Sequence, residues 1–448
     1  MTPDPADLTA RLLEAARAAG AEAADAVAVE ATSVSVAVRD GKLEEAERAE
    51  GVEVGLRVLM GQRQACVAAS DTSADTFAMM AERAVAMARE APEDPWIGLA
   101  DPSEIATEWD LVALDLIDPG PEPAPAALEE AARDCEAAAR AVPGITRTDR
   151  VGAGYSRRRL HIAASNGFSG GYGRTGHGIS CTAITGDGTA MERDHFGDSR
   201  LHAADLMAPS EIGRIAAERT LARAGARQPK TGRFPVLFDE RVAASLVSHL
   251  LGAISGSAIA RGASWARGLL GQPVLPDGLD LTENPLRLRG PASRPFDAEG
   301  LATRPRTIVA GGILTGWTLD LATARKLGLA STASAARGPA APPSPAVSNV
   351  ALTQGTRSPA ELMRDMGTGL LVTSMIGATI NPTTGDYSRG AAGLWIENGE
   401  PAYPVNELTV AGNLIGMLRS VVPANDARPH LASVVPSLLV EGLTIAGG

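Results

Sequence analysis

The sequence predicts an α+β protein built as two domains. The first, residues 1–230, is an N-terminal module of helices and antiparallel strands. The second, residues 231–448, is larger and β-rich, with a mixed or antiparallel sheet and flanking helices. Three observations predict this. At 448 residues the chain exceeds the roughly 250–300 residues at which a single hydrophobic core stops growing. Near its start, helix-period segments are interspersed with period-two runs that meet at tight-turn dipeptides, and after Leu370 it reverts to short strands separated by glycine turns.

Leu8, Leu12, Leu13 and Ala16 recur at helical spacing, so residues 5–19 form an amphipathic helix ended by Gly20. Val34, Val36 and Val38 alternate up to Arg39-Asp40-Gly41-Lys42, whose Asp-Gly is a hairpin signal, and Val52, Val54, Leu56 and Val58 alternate before a turn at Gly61. Ser73 caps a helix reaching Glu90, with Phe77, Met80, Ala84 and Met87 on one face, and Ala91-Pro92 ends it. The alternating prolines of 118–125 force extended geometry and read as a semi-rigid linker. A helix over 126–142, strands over 147–155 and 160–164, more β-rich sequence and a helix over 209–226 follow, an order consistent with a cryptic duplication. Phe234–Phe238 is a short strand, and Asp239 caps a helix within 239–260 that buries Val242, Leu246, Leu250 and Ile254. Residues 330–345 are too polar and proline-rich to pack, which predicts a mobile loop.

Bulk properties narrow the function. The net charge of -12 and pI near 5.1 oppose a nucleic-acid partner, because phosphate binding rests on clustered Lys and Arg. Cys66, Cys135 and Cys181 are odd in number and contain no CxxC pair, so neither a disulfide framework nor a thiolate zinc site is indicated, and a reducing cytoplasm fits. The N-terminus lacks the order of a signal peptide, and Pro436 and Glu441 interrupt the longest apolar C-terminal run, so no membrane segment is expected.

Several short motifs fail their context tests. Gly167–Gly171 satisfies G-x-S-x-G, but the residues after it alternate like a strand, so Ser165-Asn166-Gly167 reads as a hairpin turn and not as a nucleophile elbow. Gly171–Gly176 satisfies G-x-G-x-x-G, yet no helix begins there to offer amides to a pyrophosphate. His161, His177, His195 and His202 fall in one β-rich segment, at spacings that match no compact metal motif; His177 and Cys181 share a strand face.

The most informative stretch is Thr384–Gly399, TGDYSRGAAGLWIENG. Its Asp386-Tyr387-Ser388-Arg389 cluster lies among glycines and reads as a polar loop. Leu394–Glu400 reads as a strand entering an Asn-Gly turn. Two readings of the cluster stand side by side. Asp386 and Arg389 pair and merely stabilise the turn, or Tyr387 and Arg389 face a cleft where peptide carbonyls or a carboxylate are bound.

This stretch, together with YPVNELTVAGN from Tyr403 to Asn413 and the segment from Phe234 to Gly262, resembles the TldD/PmbA family and, within it, the PmbA (TldE) branch. The TldD branch carries a zinc-binding HExxxH helix after a strand. Zinc hydrolysis needs imidazole ligands and a carboxylate base near the activated water. The equivalent helix here keeps only His249, with Leu250 at the base position and Ile254 at the second histidine, and no cysteine follows Cys181.

The resemblance therefore implies no catalytic and no metal residue in this chain, no cofactor of its own, and zinc held by a TldD-type partner. It implies a cytoplasmic, non-zinc-binding subunit of a heterodimeric peptidase, inactive alone, that forms part of a cleft for unfolded or short peptides. Asp386, Tyr387, Ser388 and Arg389 are its cleft candidates, and the gene-product label "modulator of DNA gyrase" goes with the family. The missing ligands equally permit a homodimeric peptide-binding or assembly protein without catalysis.

Overall fold

The computed structural model describes residues 4–447. Helix α1 (Pro5–Ala18) starts where the Asp4 carboxylate accepts the Ala6 amide, with Pro5 at the first helical position, and buries Leu8, Leu12 and Ala16. Strands β1 (Ala23–Arg39) and β2 (Lys42–Met60) form a long hairpin, and β3 (Arg63–Ala69) follows the turn at Gly61. Both central residues of the first hairpin turn have positive φ, Asp40 at 52° and Gly41 at 71°. Helix α2 (Ala74–Glu90) is capped by Ser73 and buries Phe77, Met80 and Ala84, but Met87 points to solvent, because its position has rotated off the buried stripe.

After the single turn α3 (Leu111–Leu114) the same order of elements returns: α4 (Pro125–Arg140), β4 (Ile145–Ala164), β5 (Ser169–Thr185), β6 (Glu192–Arg200) and α5 (Pro209–Leu221). The six strands form one antiparallel sheet in the order β3-β2-β1-β4-β5-β6. Where the sequence indicates two strands, β4 is continuous. The polar run Ser156–Arg159 pairs with β1 on one side and with β5 on the other, so backbone ladders carry it through a stretch without apolar alternation.

All four long helices lie on one face of this sheet. Ala24, Ala26 and Ala28 pack with Leu8 and Phe77, while Val34, Val36 and Val38 pack with Leu128 and Ile212. Val27 and Val29 point the other way, into an aromatic cluster containing Phe168 and Phe296.

The C-terminal part opens with β7 (Gly232–Phe238) and α6 (Glu240–Ala253). Strand β7 pairs in parallel with Gly369–Ile380 and antiparallel with Leu438–Gly447. Next to Gly369–Ile380 come Asp386–Glu397 and Glu400–Asn413. Residues Leu408–Ala411 then pair with Thr444–Gly447, which closes the sheet on itself. A second sheet is made of short strands, including Leu281–Glu283, Arg306–Ala310 and Val350–Leu352. The protein is α+β, and no helix among the described residues is long and apolar enough to cross a membrane.

Residues 330–345 overturn the expectation of a mobile loop. Ala335-Ala336 pairs with Ser344-Pro345, Ala335 is fully buried, and the Pro339 carbonyl lies so close to Gly55 of β2 that a Cβ there would come within 2.1 Å of it. The anchor is Arg337, whose side chain is 1% exposed and pairs with Asp25 of β1. Asp25 also accepts from Arg57 Nε at 2.6 Å, so two guanidiniums flank one buried carboxylate where the sheet meets the C-terminal part.

Next to this triad, Asp297 accepts the amides of Glu299, Leu301 and Ala335, and Glu299 accepts the Leu321 amide at 2.8 Å. Burial, and then the Asp297 charge, raise the Glu299 carboxyl to about 8. The folded state therefore keeps a proton that the unfolded chain has lost, and this group's contribution to stability falls as pH rises from about 4.5 towards about 8. Glu299→Gln is expected to flatten that decline. Urea midpoints measured at pH 5 and pH 8 check it, and an unchanged pH slope would show the carboxyl to be ionised throughout.

Candidate functional site

Asp239 accepts the Arg241 amide at 3.1 Å and starts α6 directly off β7. The face carrying Leu246, Leu250 and Ile254 is wholly buried in the main C-terminal core beside Trp395 and Leu438. His249 sits on the flank of that face. Its ring meets the ring of Tyr387 edge-on, with centroids 6.0 Å apart.

Tyr387 belongs to a strand. Asp386–Arg389 forms the first third of the strand Asp386–Glu397, paired throughout with Val410–Asn413 and at Tyr387 and Ser388 also with Thr379 and Ile380, and not the loop its polarity indicates. The glycines explain the difference. A Cβ at Gly393 would fall 1.8 Å from the Leu371 carbonyl oxygen, so the bulged pairing of these two strands requires glycine there.

Strand alternation separates the four cluster residues. Tyr387 is buried, its phenol donates to Met375 Sδ at 3.3 Å, and burial raises its pKa to about 12. Arg389, on the same face, donates from Nε to the Gly377 carbonyl at 2.7 Å. Asp386 is exposed and accepts from Thr384 Oγ1 at 2.7 Å and Asn413 Nδ2 at 3.1 Å, which hold its carboxyl below the usual range. Ser388 is half-buried. Asp386 and Ser388 thus face away from Tyr387 and Arg389, and Asp386 takes its hydrogen bonds from Thr384 and Asn413.

Burial, and then the charge of Arg389, lower the His249 pKa, and its buried Nε2 has no hydrogen-bond partner among the described residues. The imidazole is therefore neutral beside a neutral phenol, a thioether and a guanidinium. Zinc needs two or three further imidazole, thiolate or carboxylate donors and a base for its water. This donor set does not fit it, since Leu250 and Ile254 occupy the positions that would supply them and a guanidinium repels the ion. Among the described residues no group of three or more His, Cys, Asp and Glu is placed to hold a metal.

The other histidines are dispersed. His161 Nδ1 bonds Thr9 Oγ1 at 2.8 Å and its Nε2 lies 3.5 Å from Ser169 Oγ. Ser169 begins a strand, and a hydroxyl orients the ring in place of a carboxylate, so this is no hydrolase triad. His177 pairs with Asp118 at 3.2 Å and His202 with the Asp115 carbonyl at 3.0 Å, whereas His195 is exposed. Gly171–Gly176 lies within β5, with no helix to follow it.

Met375 has a second side. With Thr373 and Ser374 it lines a cleft of about 610 Å3 between β6 and the start of α6, edged by Arg193, Arg219, Arg223, Arg241 and Arg428 against Asp149 and Asp194. Sequence reasoning did not find this cleft, because its arginines come from four separate segments. The His249–Tyr387 pair stands one side chain behind it.

Models of the PmbA/TldA metallopeptidase domain 1, central domain and C-terminal domain match residues 24–88, 118–224 and 231–447. Metalloprotease PmbA of Escherichia coli O157:H7 is 37% identical over 98% of this chain and 95% of its own length. The chain belongs to the PmbA/TldD family. A PmbA homologue of Haemophilus influenzae is 34% identical over 97% of this chain and 94% of its own. A Bacteroides thetaiotaomicron protein labelled a modulator of DNA gyrase superimposes with a TM-score of 0.90 at 27% identity over all of both chains. TldE from Thermococcus kodakarensis shares the fold, with a TM-score of 0.85 at 19% identity over 98% of this chain and 99% of its own. Within this PmbA/TldD chain, the segment from β7 through α6 and the strand Asp386–Glu397 are the parts that meet at His249 and Tyr387.

Proposed function

We propose that this chain is the non-zinc-binding subunit of a heterodimeric TldD/TldE-type metallopeptidase and forms part of the cleft for unfolded or short peptides. One observation carries the reading: on α6 the base position and the second-histidine position are Leu250 and Ile254, both without exposed surface, so His249 stands alone. The zinc belongs to the TldD-type partner, which supplies the Lewis acid and the base. This chain supplies wall and backbone partners, with Asp386, Tyr387, Ser388 and Arg389 as the cleft candidates, of which Tyr387 reaches the arginine-edged cleft through Met375.

Strand β6 is an edge of the N-terminal sheet and borders that cleft through His195 and Phe196. An edge strand accepts an extended segment through main-chain hydrogen bonds with little sequence preference. The acidic pI and three free thiols suit a cytoplasmic location.

The test is peptidase activity on an unfolded casein and on short peptides, for the chain alone with and without zinc, and mixed with a TldD-type subunit. Expected are no cleavage alone, cleavage in the mixture, and co-elution as a one-to-one complex. Chelator-sensitive hydrolysis by the lone chain, abolished by His249→Ala, would overturn the proposal. A homodimer that binds peptide yet gains nothing from the TldD-type subunit would favour a binding or assembly protein instead.

A further inference from the structure

A second cavity, of about 200 Å3, lies on the opposite face of the N-terminal sheet from its helices. Val27 and Ile162 form its floor, Phe296 and Tyr172 a wall, and residues 335–337 its roof. Four guanidiniums line it, from Arg158, Arg174, Arg294 and Arg337, against one carboxylate, Asp297.

The charges are not balanced by the protein. Asp297 already accepts three backbone amides. Arg174 is spent on the neutral carbonyls of Pro291 and Ser293, and Arg294 on those of Ala335 and Ala346. Among the described residues only Arg337 of the four forms an ion pair, through Nη1 on Asp25, and that acid is shared with Arg57. Two donors remain buried without a partner among the described residues, Arg337 Nη2 and Arg294 Nε. Arg158 is exposed at the mouth and has no ion-pair partner among the described residues. Burial lowers the pKa of Arg174 and of Arg337.

We propose that this cavity binds a small organic monoanion, a carboxylate on a compact apolar body. A carboxylate offers two oxygens to donors that are otherwise left buried and unsatisfied, and charge-assisted bonds to guanidinium are among the strongest available. The volume lies below the roughly 300–1,000 Å3 of drug-sized pockets, which excludes nucleotides and extended peptides. The Val27, Ile162 and Phe296 surface selects an apolar body over a hydrated ion such as phosphate. The inference is independent of the peptidase reading, since the cavity shares no residue with the arginine-edged cleft.

Calorimetric titration of the full chain with benzoate, with neutral benzamide and with inorganic phosphate tests it. Expected is one benzoate per chain, with benzamide and phosphate each weaker by about tenfold or more, the share of one charge-assisted contact. Arg158→Ala, which removes no internal bond, is expected to weaken benzoate about fivefold while leaving the urea midpoint unchanged. Benzamide or phosphate binding as well as benzoate, an unaltered affinity in Arg158→Ala, or no benzoate heat at millimolar concentration would each overturn the proposal.

Discussion

A variant carrying Leu250→Glu with Ile254→His, which rewrites α6 as HExxxH, is expected to lose its fold and not to gain a zinc site. Both positions are fully buried in the C-terminal core. Leu250→Glu removes apolar packing and places a carboxylate in the apolar core that holds Leu246, Trp395 and Leu438. Removal of a buried leucine side chain alone costs about 2–5 kcal/mol, and the stranded carboxylate adds to it. Against a total stability of about 5–15 kcal/mol, the variant should be largely unfolded or insoluble at neutral pH. His249→Ala, by contrast, removes an edge contact with Tyr387 worth about 0.5–1.5 kcal/mol and should leave the protein folded. Circular dichroism through a urea titration, with metal content measured alongside, separates the cases. A soluble, cooperative HExxxH variant holding one zinc per chain would mean that α6 still carries a usable metal face.

The second large effect is expected at Asp25. Asp25→Ala leaves the Arg57 and Arg337 guanidiniums facing each other in a buried site without their shared acid. Removing one partner from a buried ion cluster costs about 3–5 kcal/mol. The loss has a place as well as a size. With Arg337 released, residues 330–345 lose their anchor, so limited proteolysis should cut there in Asp25→Ala while the unaltered protein stays intact. Cutting of both proteins at equal rates would show that the segment opens regardless of the triad.

Much of this architecture was legible residue by residue. Asp4, Ser73 and Asp239 sit where caps are wanted and each accepts a first-turn amide. Asp40-Gly41 and Asn398-Gly399 adopt the positive φ angles that their hairpins need. Asp25 and Arg57 each stand in an apolar stretch of their strand, but counting back from the turn at Gly41 sets Asp25 opposite Leu56, and only the register shift between Ala37 and Val38 brings it opposite Arg57. What escaped was long-range. Residues 330–345 look unpackable because the partner that orders them, Asp25, lies 312 residues away. The Asp386–Arg389 cluster looks like a loop because its sequence does not show the two neighbouring strands that hold it. Likewise, that Tyr387 would meet His249 depends on how α6 lies across the sheet, which periodicity does not encode.

The closing pairing between Leu408–Ala411 and Thr444–Gly447 bears on the order of assembly. Strand Leu438–Gly447 also flanks β7, whose residues emerge from the ribosome some two hundred positions earlier. Until that final stave is synthesised, β7 and Glu400–Asn413 each carry an unpaired rim. The N-terminal sheet, made largely of neighbouring hairpins, needs no such wait. Nascent chains should therefore carry a finished first half beside an open, adhesive second half, and that interval is when a chaperone would most readily engage them.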